Sequence, residues 1–175
     1  MIVASSTLEE SVRPAEPRDL RQIADIYAYY VTESVATFEL EPPGVDEWRE
    51  RYAAVTGAGL PFLVAEDEGR VAGYAYCSPW KTRPAYRHTV EDSIYLAQWA
   101  RGRGLSGVLL DALLDRATAA GIREMIAVIA DSGDPASAAL HRKRGFTEAG
   151  RLRRVGCKHG RRLDTMLLQR SLMDD

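Results

Sequence analysis

The sequence predicts one α/β domain built on a mixed, mainly antiparallel sheet of about six to seven strands, flanked by about four helices. Three observations predict it. Apolar or aromatic runs of strand length alternate with segments whose apolar residues recur at helical spacing. A turn signal, Asp67-Glu68-Gly69-Arg70, separates two such runs as a hairpin would. A glycine-rich stretch, Arg101–Gly107, passes from a strand straight into a long amphipathic segment.

The elements follow in order. Ser11–Glu16 reads as a short strand. Helical spacing of Leu20, Ile23, Ala24, Ile26, Tyr27 and Tyr30 behind Pro17 and Asp19 predicts a helix over Arg18–Val31. Thr32–Gly44, closed by proline and glycine, reads as a loop carrying Phe38. Trp48 and Tyr52, four apart, place a second helix at Asp46–Val55. Strands follow at Leu60–Glu66 and Val71–Cys77, then a loop at Ser78–Arg87 dense in aromatic and cationic groups, then a strand at Thr89–Ala97. Leu109, Leu110, Leu113, Leu114 and Ala117 define a helix over Leu105–Ala120, with Gly121 as its C-cap. Met125–Ala130 is a nearly unbroken apolar strand. Asp134–Arg144 is a short helix with Pro135 in its first turn and Gly145 at its end. Phe146–Arg154 and Arg162–Ser171 complete the sheet.

Bulk properties exclude several classes. At 175 residues the chain suits one domain over 11–175, with Met1–Glu10 as a flexible polar extension. A net charge of −2 gives no global attraction to nucleic acid or an anionic membrane. No apolar run approaches the roughly 20 residues of a membrane helix, and the N-terminus lacks a signal-peptide pattern. Cys77 and Cys157 are too few for a disulfide scaffold and, like the scattered His88, His141 and His159, lie outside any metal-ligand spacing. A cytoplasmic, metal-free protein is the expectation. Arg151, Arg153 and Arg154 read as a solvated strand face without aromatic interleaving, and Cys157 as inert packing.

The segment Arg101-Gly102-Arg103-Gly104-Leu105-Ser106-Gly107 carries the chemistry. Its glycines let the backbone turn tightly and approach a ligand. The first N–H groups of the following helix have no intrahelical partner, and the helix dipole and two arginines add positive potential. The place suits a pyrophosphate. A Walker loop needs Gly-Lys-Ser/Thr, which is absent, and a Rossmann loop follows the first strand rather than a late one. Taken alone, the segment also fits a plain tight turn with solvated arginines.

Arg101-x-x-Gly104-x-Ser106 resembles the Q/R-x-x-G-x-G/A signature of the GNAT superfamily of N-acetyltransferases, with serine where glycine or alanine is usual. The resemblance extends to the phosphinothricin and methionine sulfoximine acetyltransferase branch. It runs through Phe38, Glu41-Pro42, Trp48, Phe62–Glu66, Pro79-Trp80-Lys81, Arg83, Ala85-Tyr86 and Thr89–Tyr95. It continues at Val128-Ile129, Asp134-Pro135, His141, Gly145-Phe146 and Lys158-His159-Gly160, so that Val12–Leu172 is covered.

The resemblance implies acetyl-CoA as acetyl donor and a GNAT-type sheet. It places backbone amides at Ile94, Tyr95 and Leu96 beside the thioester, Arg101–Gly107 on the pyrophosphate, and Asp134 and Ser137 on the pantetheine arm. Aspartate stands at 134 where asparagine is usual. Glu91, in Thr-x-Glu, is the implied base for the amine, against a bland reading as a structural acid; partial burial would raise its pKa. Asp92 alternates to the other strand face. His141 is implied as the acid for the thiolate or an orienting group, against a packed histidine. Lys81 and Arg83 would pair with an acceptor carboxylate or phosphinate. Trp80, Tyr86 and Phe38 would wall its pocket, and Thr89 and Val90 would add backbone contacts. Arg162 replaces the branch's usual tryptophan. The branch also implies a homodimer. Other acceptors (a protein N-terminus, a polyamine, an aminoglycoside) and a non-catalytic acyl-CoA-binding module stay open alternatives.

Overall fold

The sheet determines where the site opens. A computed structural model describes residues 11–173. The extension Met1–Glu10 lies outside them. Seven strands form one sheet in the order β1-β2-β3-β4-β5-β7-β6. They are β1 (Val12–Pro14), β2 (Phe62–Asp67), β3 (Arg70–Pro79), β4 (Thr89–Leu96), β5 (Glu124–Ala130), β6 (Thr147–Lys158) and β7 (Arg161–Ser171). Among the described residues only β4 and β5 run parallel, and every other pairing is antiparallel. The helices are α1 (Leu20–Glu33), α2 (Val45–Gly57), α3 (Leu105–Ala119) and α4 (Ala136–Arg142).

Strand alternation divides the core into two layers. On one face Tyr74, Tyr76 and Tyr95 meet Tyr27 of α1 and Trp48 of α2, with Tyr27 and Trp48 edge to face at 5.4 Å. Trp48, Tyr74, Ile23 and Leu20 are fully buried there. On the other face Ala75, Gly73 and Leu96 meet α3, whose Leu109, Leu110 and Leu113 are completely buried. Burial of such side chains contributes roughly 1.5–3 kcal/mol each and drives the assembly. α4 lies on this same face, tied to α3 by the Arg144–Asp111 ion pair at 2.7 Å.

Three sequence expectations change. β6 does not stop at Arg154: it bulges between Leu152 and Gly156, where Arg154 turns to φ 56°, and continues to Lys158. A two-residue turn at His159-Gly160 then returns the chain into β7. Cys157 is exposed on this extension rather than packed. Arg151 is not simply solvated either, since it pairs with Asp131 at 2.7 Å and Asp164 at 3.4 Å. Among the described residues no helix is long and apolar enough to cross a membrane, and no group of three or more His, Cys, Asp or Glu converges as metal ligands.

Candidate active site

β4 and β5 are paired over three residues only, ending at Glu91↔Ile126. Beyond that point β4 stays laddered to β3, as far as Leu96, while β5 stays laddered to β7, as far as Ala130. The two strands therefore part, and backbone groups of β4 lose their partner on the β5 side. A cavity of about 490 Å³ fills the gap, lined by Glu91–Leu96 of β4 and Ala127–Ala130 of β5. This size is within the range of small-molecule sites.

The rim on one side belongs to α3. Gly102 and Gly104 both hold positive φ (75° and 81°), and Gly104 is the residue before the helix, so the chain enters α3 through a left-handed turn. The first helical N–H groups open toward the cavity edge where Arg101 and Ser106 line it. Arg103 is engaged elsewhere, in an ion pair with Asp67 of the β2–β3 turn at 2.8 Å. Leu105 is core, and Gly107 is buried so closely under Arg144 that a Cβ there would meet the guanidinium.

Glu91 sits at the point where the strands separate, on the tyrosine face. Burial pushes its carboxyl above the ordinary carboxylate range, the Asp92 charge adds to this, and the Lys81 ammonium opposes it. Around it the aromatic wall is Tyr27, Tyr30, Tyr76 and Phe38. Phe38 comes from the loop between α1 and α2.

Asp92 points the other way, into α4. Its Oδ2 lies 2.8 Å from His141 Nε2, both side chains buried. His141 Nδ1 lies 2.7 Å from the Ser137 carbonyl oxygen. A carbonyl only accepts, so Nδ1 carries a proton; an ionised carboxylate only accepts, so Nε2 carries one too. Burial pulls the imidazole pKa down, but the Asp92 hydrogen bond and charge, with the Ser137 carbonyl, outweigh it, and the net shift is upward. The geometry and the upward shift both favour the doubly protonated ring. Among the described residues Asp92 Oδ1 has no hydrogen-bond partner.

Several expected site residues do not line this cavity. Val90 is buried in the ladder between Pro79 and Met125. Thr89 accepts the Trp80 N–H at 3.1 Å and closes the β3–β4 loop. In that loop Lys81 and Arg83 are exposed, Tyr86 is 42% exposed, and Lys81 Nζ stands 4.8 Å from the Trp80 ring centroid. The aromatic wall is thus built by α1, β3 and Phe38 of the α1–α2 loop instead of Trp80 and Tyr86. Asp134 and Ser137 do line the cavity, Asp134 also accepting the Ala136 N–H at 2.9 Å at the start of α4. Tyr27, Tyr30, Tyr76 and Thr165 were invisible as site residues from sequence, because helical and strand periodicity marks them simply as core. The Asp92–His141 pair, 49 residues apart, left no local signal.

With this geometry in view, a sequence model of the Acetyltransferase (GNAT) family matches residues 22–146. The chain belongs to the GNAT family of acetyltransferases. A phosphinothricin N-acetyltransferase of Alcaligenes faecalis is 46% identical over 162 residues, 93% of this chain and 82% of that protein. An L-methionine sulfoximine/L-methionine sulfone acetyltransferase of Pseudomonas aeruginosa is 38% identical, covering 94% of this chain and 96% of its own length. The crystal structure of a GNAT phosphinothricin acetyltransferase from Sinorhizobium meliloti in complex with acetyl-CoA superposes with a TM-score of 0.88. It shares 49% identity over 91% of this chain and 86% of that one. The mixed seven-stranded sheet with its four helices is the GNAT architecture expected from sequence.

Proposed function

We propose that this GNAT acetyltransferase moves the acetyl group of acetyl-CoA to the primary amine of a small amino-acid-like acceptor. The acceptor is of the phosphinothricin or methionine sulfoximine/sulfone type, and the amine attacks directly in a ternary complex. The carrying observation is Glu91, a carboxylate with a raised pKa placed at the parting of β4 and β5 and facing an aromatic wall.

The protein's own groups fit such a donor. Arg101 and the free N–H groups of Leu105, Ser106 and Gly107 suit the pyrophosphate, and Asp134 and Ser137 flank the gap the pantetheine arm would follow. Acetyl-CoA supplies the activated acetyl group. The Ile94 and Leu96 amides, which alternate away from β3 and lack a β5 partner, are donors for a carbonyl oxygen that gains charge. Glu91 takes the ammonium proton, directly or through water, and a pKa nearer the working pH improves that exchange. His141 contributes as a fixed positive group, because both ring nitrogens are already committed. Lys81 stands close enough to act on the Glu91 charge, and with Arg83 it offers cations from the exposed β3–β4 loop to an acceptor carboxylate. An acyl-enzyme is not favoured: Cys77 is fully buried with its thiol pKa pushed up by burial, and Cys157 is on β6.

The exposed edge strand β6, with Leu152 48% and Val155 56% exposed, supports assembly as a homodimer. Two free cysteines accord with a cytoplasmic setting. A thiol-release assay over phosphinothricin, methionine sulfoximine, methionine sulfone, spermidine, an aminoglycoside and an N-terminal peptide tests the acceptor class. Activity confined to peptides would overturn the substrate assignment. Acetyl-CoA binding by calorimetry without turnover of any amine would overturn the enzyme.

A further inference from the structure

We infer that β6 tunes the acceptor side of the cavity: Gly156 and Lys158 form a seat that positions Phe38, and with it the acceptor the enzyme takes. The inference rests on the acceptor reading above. Phe38 lines the cavity from a segment that has no helix or strand of its own to hold it. The segment is held from outside. Lys158, only 3% exposed, donates from Nζ to the Thr37 carbonyl at 2.7 Å and the Tyr30 carbonyl at 3.4 Å. The Tyr27 and Thr37 hydroxyls meet at 2.6 Å, and Glu39 is ion-paired with Arg51 of α2.

The ring itself rests on Gly156. A Cβ built there would come within 2.8 Å of Phe38 Cδ2 and nearer still to Cε2 and Cζ. Gly156 is not among the positive-φ residues, so glycine is needed here for space and not for backbone freedom. Residues 156 and 158 are two apart on β6, so they act from one face of the strand. The two Lys158 hydrogen bonds go to carbonyls of Thr37 in the segment and of Tyr30 in α1, which tie the segment's backbone to the helix before it, while Gly156 fixes the depth of the ring. An ammonium buried among carbonyls is costly, and burial pulls its pKa down. Its return is the placement of a chain segment more than a hundred residues earlier.

Any side chain at 156 must drive the ring away until carbon contacts reach about 3.5–4.0 Å, a move of roughly 1 Å at the acceptor wall. A misplacement of that size at a substrate-positioning surface costs about ten-fold or more in kcat/KM. Gly156→Ala is therefore expected to raise acceptor KM by about five-fold or more while acetyl-CoA KM stays within about two-fold. Lys158→Met should act in the same direction. In a Phe38→Leu background, which removes the overlapping ring atoms, Gly156→Ala should cost much less than in the parent.

The protein has three phenylalanines, so fluorophenylalanine labelling gives three fluorine resonances, with the Phe38 signal identified by its loss in Phe38→Leu. Gly156→Ala must move that signal. An unmoved signal overturns the seat, and strict additivity with Phe38→Leu, or equal rises in both KM values, overturns its role at the acceptor. If the parent enzyme acetylates no amine of the panel, the functional reading fails and the link to an acceptor falls with it; the fluorine shift then shows separately whether the seat exists.

Discussion

Asp92→Asn is a test of the buried imidazolium. In the parent, both His141 nitrogens face acceptor oxygens, the Ser137 carbonyl and the Asp92 carboxylate, at 2.7 and 2.8 Å, which favours a doubly protonated ring. Asparagine can turn its amide toward Nε2 and donate to a neutral ring, so the variant favours the uncharged histidine. The folded pKa of His141 lies above its unfolded value. A group so shifted contributes stability that is fully present below the unfolded pKa of about 6.5 and is lost as pH rises through the folded value. A charge-assisted buried hydrogen bond is worth about 1.5–3 kcal/mol. The larger loss of about 3–5 kcal/mol for breaking a buried ion pair does not apply, since the imidazole can discharge instead of standing uncompensated. For a chain of this length that is a drop of roughly 3–12 °C in Tm at about pH 6. The difference from the parent should shrink in alkaline buffer, and there a carboxylate facing an unprotonated nitrogen makes asparagine the better partner. Thermal and urea unfolding across that range read it directly. A stability difference independent of pH would refute the doubly protonated ring.

Further outcomes follow from the same geometry. Glu91→Gln should lower kcat by about 10²–10⁴-fold with acetyl-CoA affinity nearly intact; unchanged turnover in a stopped thiol assay removes Glu91 from the base role. Because its carboxyl works only when ionised and its pKa is raised, parent kcat/KM should fall as pH drops through that value, and the variant should lose this limb. Lys81→Met removes the charge that opposes the rise, so the acid limb should move to higher pH; a limb that stays in place denies the Lys81–Glu91 interaction. Arg101→Ala should weaken acetyl-CoA binding about ten-fold by calorimetry, whereas Arg103→Ala, whose guanidinium is held by Asp67, should change it by less than about two-fold. Equal effects would refute the division between the two arginines.

Helices α1 and α3 were legible because each buries one apolar stripe, and periodicity reports that burial. The glycine-rich turn was legible because strand-to-helix junctions that expose N–H groups need small residues. β6 was cut short because Val155–Lys158 contains a glycine and a lysine where strand alternation asks for apolar groups. Both prove to be turned inward, toward Phe38 and the Thr37 carbonyl. The aromatic lining of the cavity departs from expectation for a related reason. Trp80 and Tyr86 stand beside cations in a loop and look like a binding site, while Tyr27, Tyr30 and Tyr76 stand at core spacing and look like packing. Only the parting of β4 from β5 turns those core tyrosines into a cavity lining, and a strand separation leaves no mark in local composition.

The parting also explains why two adjacent carboxylates do different work. Residues 91 and 92 project to opposite faces of β4 by strand alternation, one toward the tyrosines and one toward α4. Glu91 is the last β4 residue registered with β5, so its face opens into the cavity on the tyrosine side, while Asp92, buried against His141, meets the cavity on the α4 side. The two remain coupled through space, since the Asp92 charge is one of the influences raising the Glu91 pKa. In Asp92→Asn that charge disappears, so the acid limb of kcat/KM should move to lower pH, opposite to Lys81→Met. The stability effect of the same substitution titrates with His141 instead. One variant thus has two pH dependences set by two different groups, and finding both to follow a single pKa would mean that Glu91 and the Asp92–His141 pair are not separate devices.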